Sequence, residues 1–102
     1  MNQTLHTIQH TAETATYSWH TDPSHGWLEV SAAAVHAVDL HPALAFSQYS
    51  YHKGNTLYLE EDCDAGVFIN AFEAKYGKRP TMDEKDQSNG DSFIRGLPRI
   101  GG

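Results

Sequence analysis

Cysteine is nearly absent from this sequence, which has a single one, Cys63, in 102 residues. One cysteine cannot close an internal disulfide and belongs to no paired-cysteine zinc pattern, so nothing in the sequence indicates an oxidising compartment. The first residues also lack the basic end and apolar middle of a secretory signal. We therefore expect a cytoplasmic protein.

Basic residues and long apolar runs are scarce as well. Seven Lys and Arg stand against thirteen Asp and Glu, which gives a formal net charge of −6. Proteins that bind the phosphate backbone need clustered cations, so we expect no direct contact with nucleic acid. No apolar run approaches the roughly 18 residues of a membrane span. We therefore expect no membrane interaction, and one domain over 1–102 in which 1–12 and 88–102 are more loosely ordered.

Alternation of apolar and polar residues predicts strands over 14–21 and 27–31, joined by the turn-forming residues 22–26. A hairpin is expected over 45–61, because two strand-like runs flank Gly54-Asn55, a pair suited to a tight turn. We expect the two strands of each hairpin to pair antiparallel, and the charged residues after Pro80 to add an edge strand.

Two helices complete the predicted fold. A short helix over 32–40 is rich in alanine and follows Ser31, a good capping residue. The main helix covers 63–76 and ends at Gly77, because its apolar residues recur at i, i+3, i+4 and i+7. These residues are Ala65, Phe68, Ile69, Phe72 and Tyr76. The sequence thus predicts an α+β fold with a small antiparallel sheet of three to five strands packed against the main helix.

The stretch YLEEDCD, residues 58–64, places four carboxylates and Cys63 where the last hairpin strand passes into the main helix. Part of this charge has a structural explanation, since Asp62 is suited to cap the helix and negative charge is favourable at a helix N-terminus. One capping residue would be sufficient. The surplus either serves solubility or forms an exposed acidic site for a basic protein partner, and we carry the second interpretation forward. The residues of this site are Glu60, Glu61, Asp62 and Asp64.

Aromatic residues supply a second candidate surface. Trp27 follows a Ser-His-Gly turn, where it can anchor a partner or pack as part of the hairpin. Tyr49, Tyr51 and Tyr58 share the face of the second hairpin opposite its leucines. We expect that face to be exposed unless the first hairpin or another chain covers it, so the partner can also be a second copy of this chain.

A metal site is the alternative from a different functional class. His20 and His25 flank a turn, and Cys63 with the Asp62–Asp64 carboxylates can complete a zinc shell, although the spacing matches no established zinc signature. Such a site would be structural or hydrolytic. A nucleophilic pair of Cys63 with His25 or His52 is disfavoured by the neighbouring carboxylates, and Cys63 is otherwise expected as a small buried filler. We expect a non-catalytic protein without a cofactor.

Two segments resemble a group of small uncharacterised bacterial proteins of phages, plasmids and other mobile elements. These segments are DPSHGWLEV from Asp22 to Val30 and YSYHKGNTLYLEEDCDAGVFINAF from Tyr49 to Phe72. The tail NGDSFIRGLPR resembles that of the group, which shares the Ser-His-Gly-Trp turn and the Tyr-Leu-Glu-Glu-Asp-Cys-Asp helix start. The resemblance implies an accessory protein that binds a host defence protein, including CRISPR effectors. It assigns no catalytic residue.

Overall fold

One sheet organises the fold in the computed structural model, which describes residues 11–87 and 90–100. Its five strands have the order β3-β4-β2-β1-β5, and the helices complete an α+β architecture, which confirms the predicted fold class. The strands are β1 (Thr16–Thr21), β2 (Gly26–Ser31), β3 (Tyr51–Lys53), β4 (Thr56–Glu60) and β5 (Thr81–Asp86).

The sheet is mixed rather than purely antiparallel. Strand β2 pairs antiparallel with both β1 and β4, and β3 pairs antiparallel with β4 across the predicted turn at Gly54, whose φ is 61°. Strand β5, however, runs parallel to β1 at the far edge. After β4 the chain passes through the main helix and returns to the sheet as β5, which runs in the same direction as β4 and β1. Parallel strands require a crossover connection of this kind.

Both predicted helices are present, and each is shorter than predicted. Helix α1 (Ala32–Ala37) begins after Ser31, whose hydroxyl accepts a hydrogen bond from the Ala34 amide at 3.0 Å. Helix α2 (Ala65–Tyr76) ends at Gly77, which adopts the left-handed conformation with φ of 73°. Residues 11–14 are also helical, and a 3₁₀ helix covers Phe93–Gly96. None of the helices within the described ranges is long and apolar enough to cross a membrane.

The main core lies between the sheet and the helices. The leucines of β4 meet the apolar stripe of α2, as the periodicity predicts, and Leu59, Phe68 and Phe72 are completely buried. Tyr17 of β1 makes edge-to-face contacts with both phenylalanines, at centroid distances of 5.3 and 6.1 Å. This core fixes the direction in which α2 leaves the end of β4.

A second, smaller core covers the opposite face of the sheet. Trp27, Tyr51 and Tyr58 are buried there against Ile94 and Leu97 from the C-terminal segment. Two backbone hydrogen bonds join that segment to the residues around the start of β3. The His52 amide donates to the Pro98 carbonyl at 2.9 Å, and the Ile100 amide donates to the Ser50 carbonyl at 2.8 Å. The expectation of an exposed tyrosine face is therefore wrong for Tyr51 and Tyr58, since the chain covers them with its own tail.

Candidate functional site

Most of the predicted interaction residues lie at one end of the sheet. Strand β2 begins and β4 ends there side by side, with Trp27 opposite Glu60 in the register. The next residue, Glu61, donates its amide to the Gly26 carbonyl at 3.0 Å. The turn between β4 and α2, the loop over 47–50 and the 3₁₀ helix surround this end of the sheet. Folding thus brings the acidic stretch and the aromatic residues together.

Asp64 does not face solvent, contrary to the prediction of an exposed cluster. Its carboxylate is buried at the start of α2, where one oxygen accepts from the Ser47 amide at 2.9 Å and from the Ser47 hydroxyl at 2.8 Å. The Ser50 hydroxyl donates to the same oxygen. A buried carboxylate needs such donors to offset its lost hydration. Asp64 therefore ties the 47–50 loop to the start of the helix.

Glu60 is the second acidic residue that the structure buries. Its carboxylate accepts from the backbone amides of Asp62 at 2.7 Å and Cys63 at 2.9 Å, so it closes the turn that precedes α2. The prediction that Asp62 caps the helix is wrong, because Asp64 is the N-cap residue and the preceding turn is organised by Glu60. Glu60 can do this because it is the last residue of β4, with its side chain beside the turn.

The exposed part of the predicted surface is smaller than the sequence suggests. Glu61 and Asp62 are exposed at the tip of the turn, and Tyr49 is 55% exposed in the neighbouring loop. The Glu61 carboxylate lies beside Gly26, so closely that a methyl group at Gly26 would approach its oxygen to 3.1 Å. We call these three residues, Tyr49, Glu61 and Asp62, the acidic corner.

Cys63 is exposed and not the buried filler that its residue type predicts. Partial desolvation, followed by the nearby carboxylates of Glu60, Asp64 and Asp62, raises the pKa of its thiol. The thiol is therefore protonated at neutral pH and a weak nucleophile. Among the described residues no hydrogen bond joins Cys63 to His25 or His52, so the structure does not assemble the nucleophilic pair.

The two histidines of the zinc alternative have separate partners. His20 lies 2.7 Å from a Glu29 carboxylate oxygen and makes edge contacts with the Tyr58 and Phe93 rings. His25 stacks on Trp27. Within residues 11–87 and 90–100, no three His, Cys, Asp or Glu side chains are grouped to hold a metal ion. Zinc binding stays a prediction, which elemental analysis of the purified protein with and without chelator tests.

An ion pair between Asp22 and Arg95 is the main feature of this region that the sequence does not reveal. The Asp22 side chain is fully buried, and it accepts from Arg95 Nε at 2.7 Å and from Arg95 Nη2 at 3.0 Å. The Ser92, Ser24 and His25 amides also donate to it. The Arg95 guanidinium, assisted by these amides, holds the pKa of Asp22 well below its usual range. The sequence identifies Asp22 as a turn residue, but its ion-pair partner, Arg95, lies 73 positions further along the chain.

No protein family model, curated protein or solved structure matches the chain. Its function is therefore inferred from the geometry at this end of the sheet.

Proposed function

We propose that this chain is a non-catalytic protein of the cytoplasm that binds another protein through the acidic corner. One observation supports this most strongly. Glu61 and Asp62 lie side by side in solvent with no cation within 4 Å among the described residues, whereas the exposed Asp39 and Asp83 each have a lysine partner. Two carboxylates without a cationic partner, on a turn next to the loop that carries an exposed tyrosine, form a surface that a cationic group can complete.

The backbone beneath the acidic corner is held in place before any partner arrives. Glu60 fixes the turn that carries Asp62, and Asp64 fixes the loop that carries Tyr49. Both anchors are buried. A surface that is already ordered loses less conformational entropy when it binds, so more of the contact energy contributes to affinity.

The partner that this surface fits has a basic patch, as host defence proteins that bind nucleic acid do. The net charge of −6 attracts such a partner over distances of about a Debye length, roughly 10 Å at 0.1 M salt. Association is therefore expected to slow as salt concentration rises. A second copy of the chain fits this surface less well, because both copies would present negative charge.

Affinity capture with matched charge variants tests the proposal. The double variant Glu61→Lys/Asp62→Lys reverses the acidic corner, and Asp83→Lys/Glu84→Lys makes the same change in net charge on β5, at the other edge of the sheet. We expect proteins that the native chain and the β5 variant enrich from lysate of its natural host to be lost with the corner variant. Equal capture by all three proteins would overturn the proposal, as would no enrichment over an unrelated domain of equal charge.

A narrower proposal is that the chain is an accessory protein of a mobile element that inhibits a host defence effector of CRISPR type. The resemblance of the Ser-His-Gly-Trp turn and the acidic stretch to proteins of mobile elements supports it. A plasmid-interference assay in strains that each carry one CRISPR effector tests it. Expression of the chain should restore transformation by a targeted plasmid in at least one strain, and the corner variant should not. No restoration in any strain would refute the narrower proposal and leave partner binding to the capture experiment.

A further inference from the structure

A cleft of about 210 Å³ opens beside the acidic corner, between the aromatic face of the sheet and the C-terminal segment. Two arginines of that segment cover aromatic rings in its walls. Arg95 lies over the Trp27 ring at 5.3 Å and Arg99 over the Tyr51 ring at 5.4 Å. The remaining lining residues are His25, Tyr49 and Glu60. Glu61 and Asp62 do not line it.

Two of the acceptors in the cleft are already engaged. The Glu60 carboxylate accepts two backbone amides, and the His25 ring nitrogen Nδ1 pairs with Arg95 Nη2 at 3.0 Å. Arg95 itself is neutralised by the buried carboxylate of Asp22. A ligand that needed a free acceptor would therefore compete with bonds that hold the fold together.

Two donors of the cleft are not engaged in this way. Trp27 is only 2% exposed, and its indole Nε1 is buried without an acceptor among the described residues. An unpaired buried N–H is costly, so such groups normally have a partner. Arg99 is exposed, has no carboxylate within 4 Å in residues 11–87 and 90–100, and makes one long hydrogen bond of 3.4 Å to the Gln48 carbonyl. Arg99 is therefore open to a further acceptor, whereas the indole N–H lacks an acceptor but lies below the surface of the cleft.

We propose that this cleft binds a carboxylate attached to a flat apolar group, as in a small aromatic acid or the last residue of a peptide. The planar guanidinium of Arg99 offers two parallel N–H groups, which match the two oxygens of a carboxylate. Trp27 forms part of the wall, and its buried indole N–H would gain an acceptor from a carboxylate that reaches it. The exposed ring of Tyr49 at the rim covers the flat part of the ligand.

Charge argues for this ligand class over the two nearest alternatives. A cationic ligand would normally seek the faces of aromatic rings, but guanidinium groups already cover the Trp27 and Tyr51 rings, and the charge of Arg99 would repel it. A phosphate would bring nearly two negative charges next to Glu60. A carboxylate brings one negative charge, which the guanidinium of Arg99 balances. Arg99 and Tyr49 line the cleft and are exposed, and exposed side chains change rotamer within nanoseconds, so both can move to admit a ligand.

The indole N–H resonances in a nitrogen-15 correlation spectrum report binding directly. The chain has two tryptophans, and Trp19 lies on the other side of the sheet, so its signal serves as an internal reference. The Trp27→Phe variant assigns the two signals. Titration with N-acetylphenylalanine is expected to shift the Trp27 signal in a saturable way and leave the Trp19 signal in place. N-acetylphenylalaninamide, which lacks the carboxylate, is expected to cause no saturable shift.

Two arginine variants separate the site from general charge effects. Arg99→Gln should weaken binding about 10-fold or more, whereas Arg79→Gln, a matched loss of charge outside the cleft, should not change it. Two further ligands distinguish a small aromatic acid from the end of a peptide. Benzoate represents the first, and a short peptide with a C-terminal phenylalanine and a free carboxylate represents the second. Binding of either supports the site.

Three results would overturn the inference: no saturable shift with any of these carboxylates, equal shifts with acid and amide, or unchanged affinity in a folded Arg99→Gln protein. The variant Glu61→Lys/Asp62→Lys should still bind the acid, because neither residue lines the cleft. Failure of the carboxylate site and failure of partner binding at the acidic corner are therefore distinguishable.

Discussion

At the scale of single residues, Asp62 and Asp64 differ only in where folding places them. Asp64 is buried and accepts three hydrogen bonds from Ser47 and Ser50, whereas Asp62 is exposed at the tip of the turn. Asp64→Ala should lower the free energy of unfolding by about 2 to 4 kcal/mol, because it leaves buried donors without an acceptor. Asp62→Ala, its matched control, should change it by less than about 0.5 kcal/mol. Urea unfolding measures both, and equal losses would contradict the assignment of Asp64 as a buried tie.

Asp22 gives the protein a predictable response to acid. Its pKa is depressed in the folded state, chiefly by the Arg95 hydrogen bonds, so folded protein binds fewer protons there than unfolded protein. The stabilisation is present above the unfolded pKa, about 3.9, and is lost as the pH falls toward the folded pKa. Asp22→Asn should therefore be less stable than the native chain at pH 7 and should lose less of its remaining stability between about pH 5 and pH 2.

Unfolding free energies measured between about pH 5 and pH 2 test this acid response. The control is Asp83→Asn, an exposed residue, whose unfolding free energy should change with pH as that of the native chain does. An unchanged acid slope in Asp22→Asn would contradict the ion pair.

The Asp22 carboxylate also illustrates a limit of sequence reasoning. Residue type predicts its role in the turn, but nothing local predicts that Arg95 will reach it from the far end of the chain.

At the scale of secondary structure elements, the periodic segments were predictable and the irregular one was not. The alternation of β1, β2 and β4 and the apolar stripe of α2 identify those elements, because one face of each packs on the main core. The parallel pairing of β5 was missed, since its charged residues carry no pattern that reveals the neighbouring strand. The 3₁₀ helix also lacks a period, so the sequence predicts only a loosely ordered tail there and not what its apolar residues cover.

Ile94 of the 3₁₀ helix tests whether the C-terminal segment is part of the fold. It is fully buried between Trp27, Tyr51 and Tyr58, so Ile94→Ala leaves a cavity and should cost about 2 to 4 kcal/mol of unfolding free energy. Leu44→Ala is the matched control, because Leu44 is 80% exposed and its truncation should cost less than about 0.5 kcal/mol. Thermal or urea unfolding measures the difference. A loss at Ile94 as small as that at Leu44 would show that the segment does not close the second core.

At the scale of the whole molecule, two cores explain why the candidate site is smaller than the sequence predicts. The first core, under α2, follows from periodicity. The second depends on contacts between Trp27 and Ile94, 67 positions apart, and it removes Trp27, Tyr51 and Tyr58 from the candidate surface. Composition and charge favour a basic partner whichever residues fold together, and that partner stays a prediction. What remains for contact is Tyr49, Glu61 and Asp62.

Hydrogen exchange of the chain, alone and in complex with the partner recovered by affinity capture, tests the central claim most directly. If the acidic corner is the interface, binding will slow exchange of backbone amides in residues 47–50 and 61–64, and exchange along β5 will not change. Slowed exchange confined to β5 or to the exposed face of α2, with none in these two segments, would contradict the account.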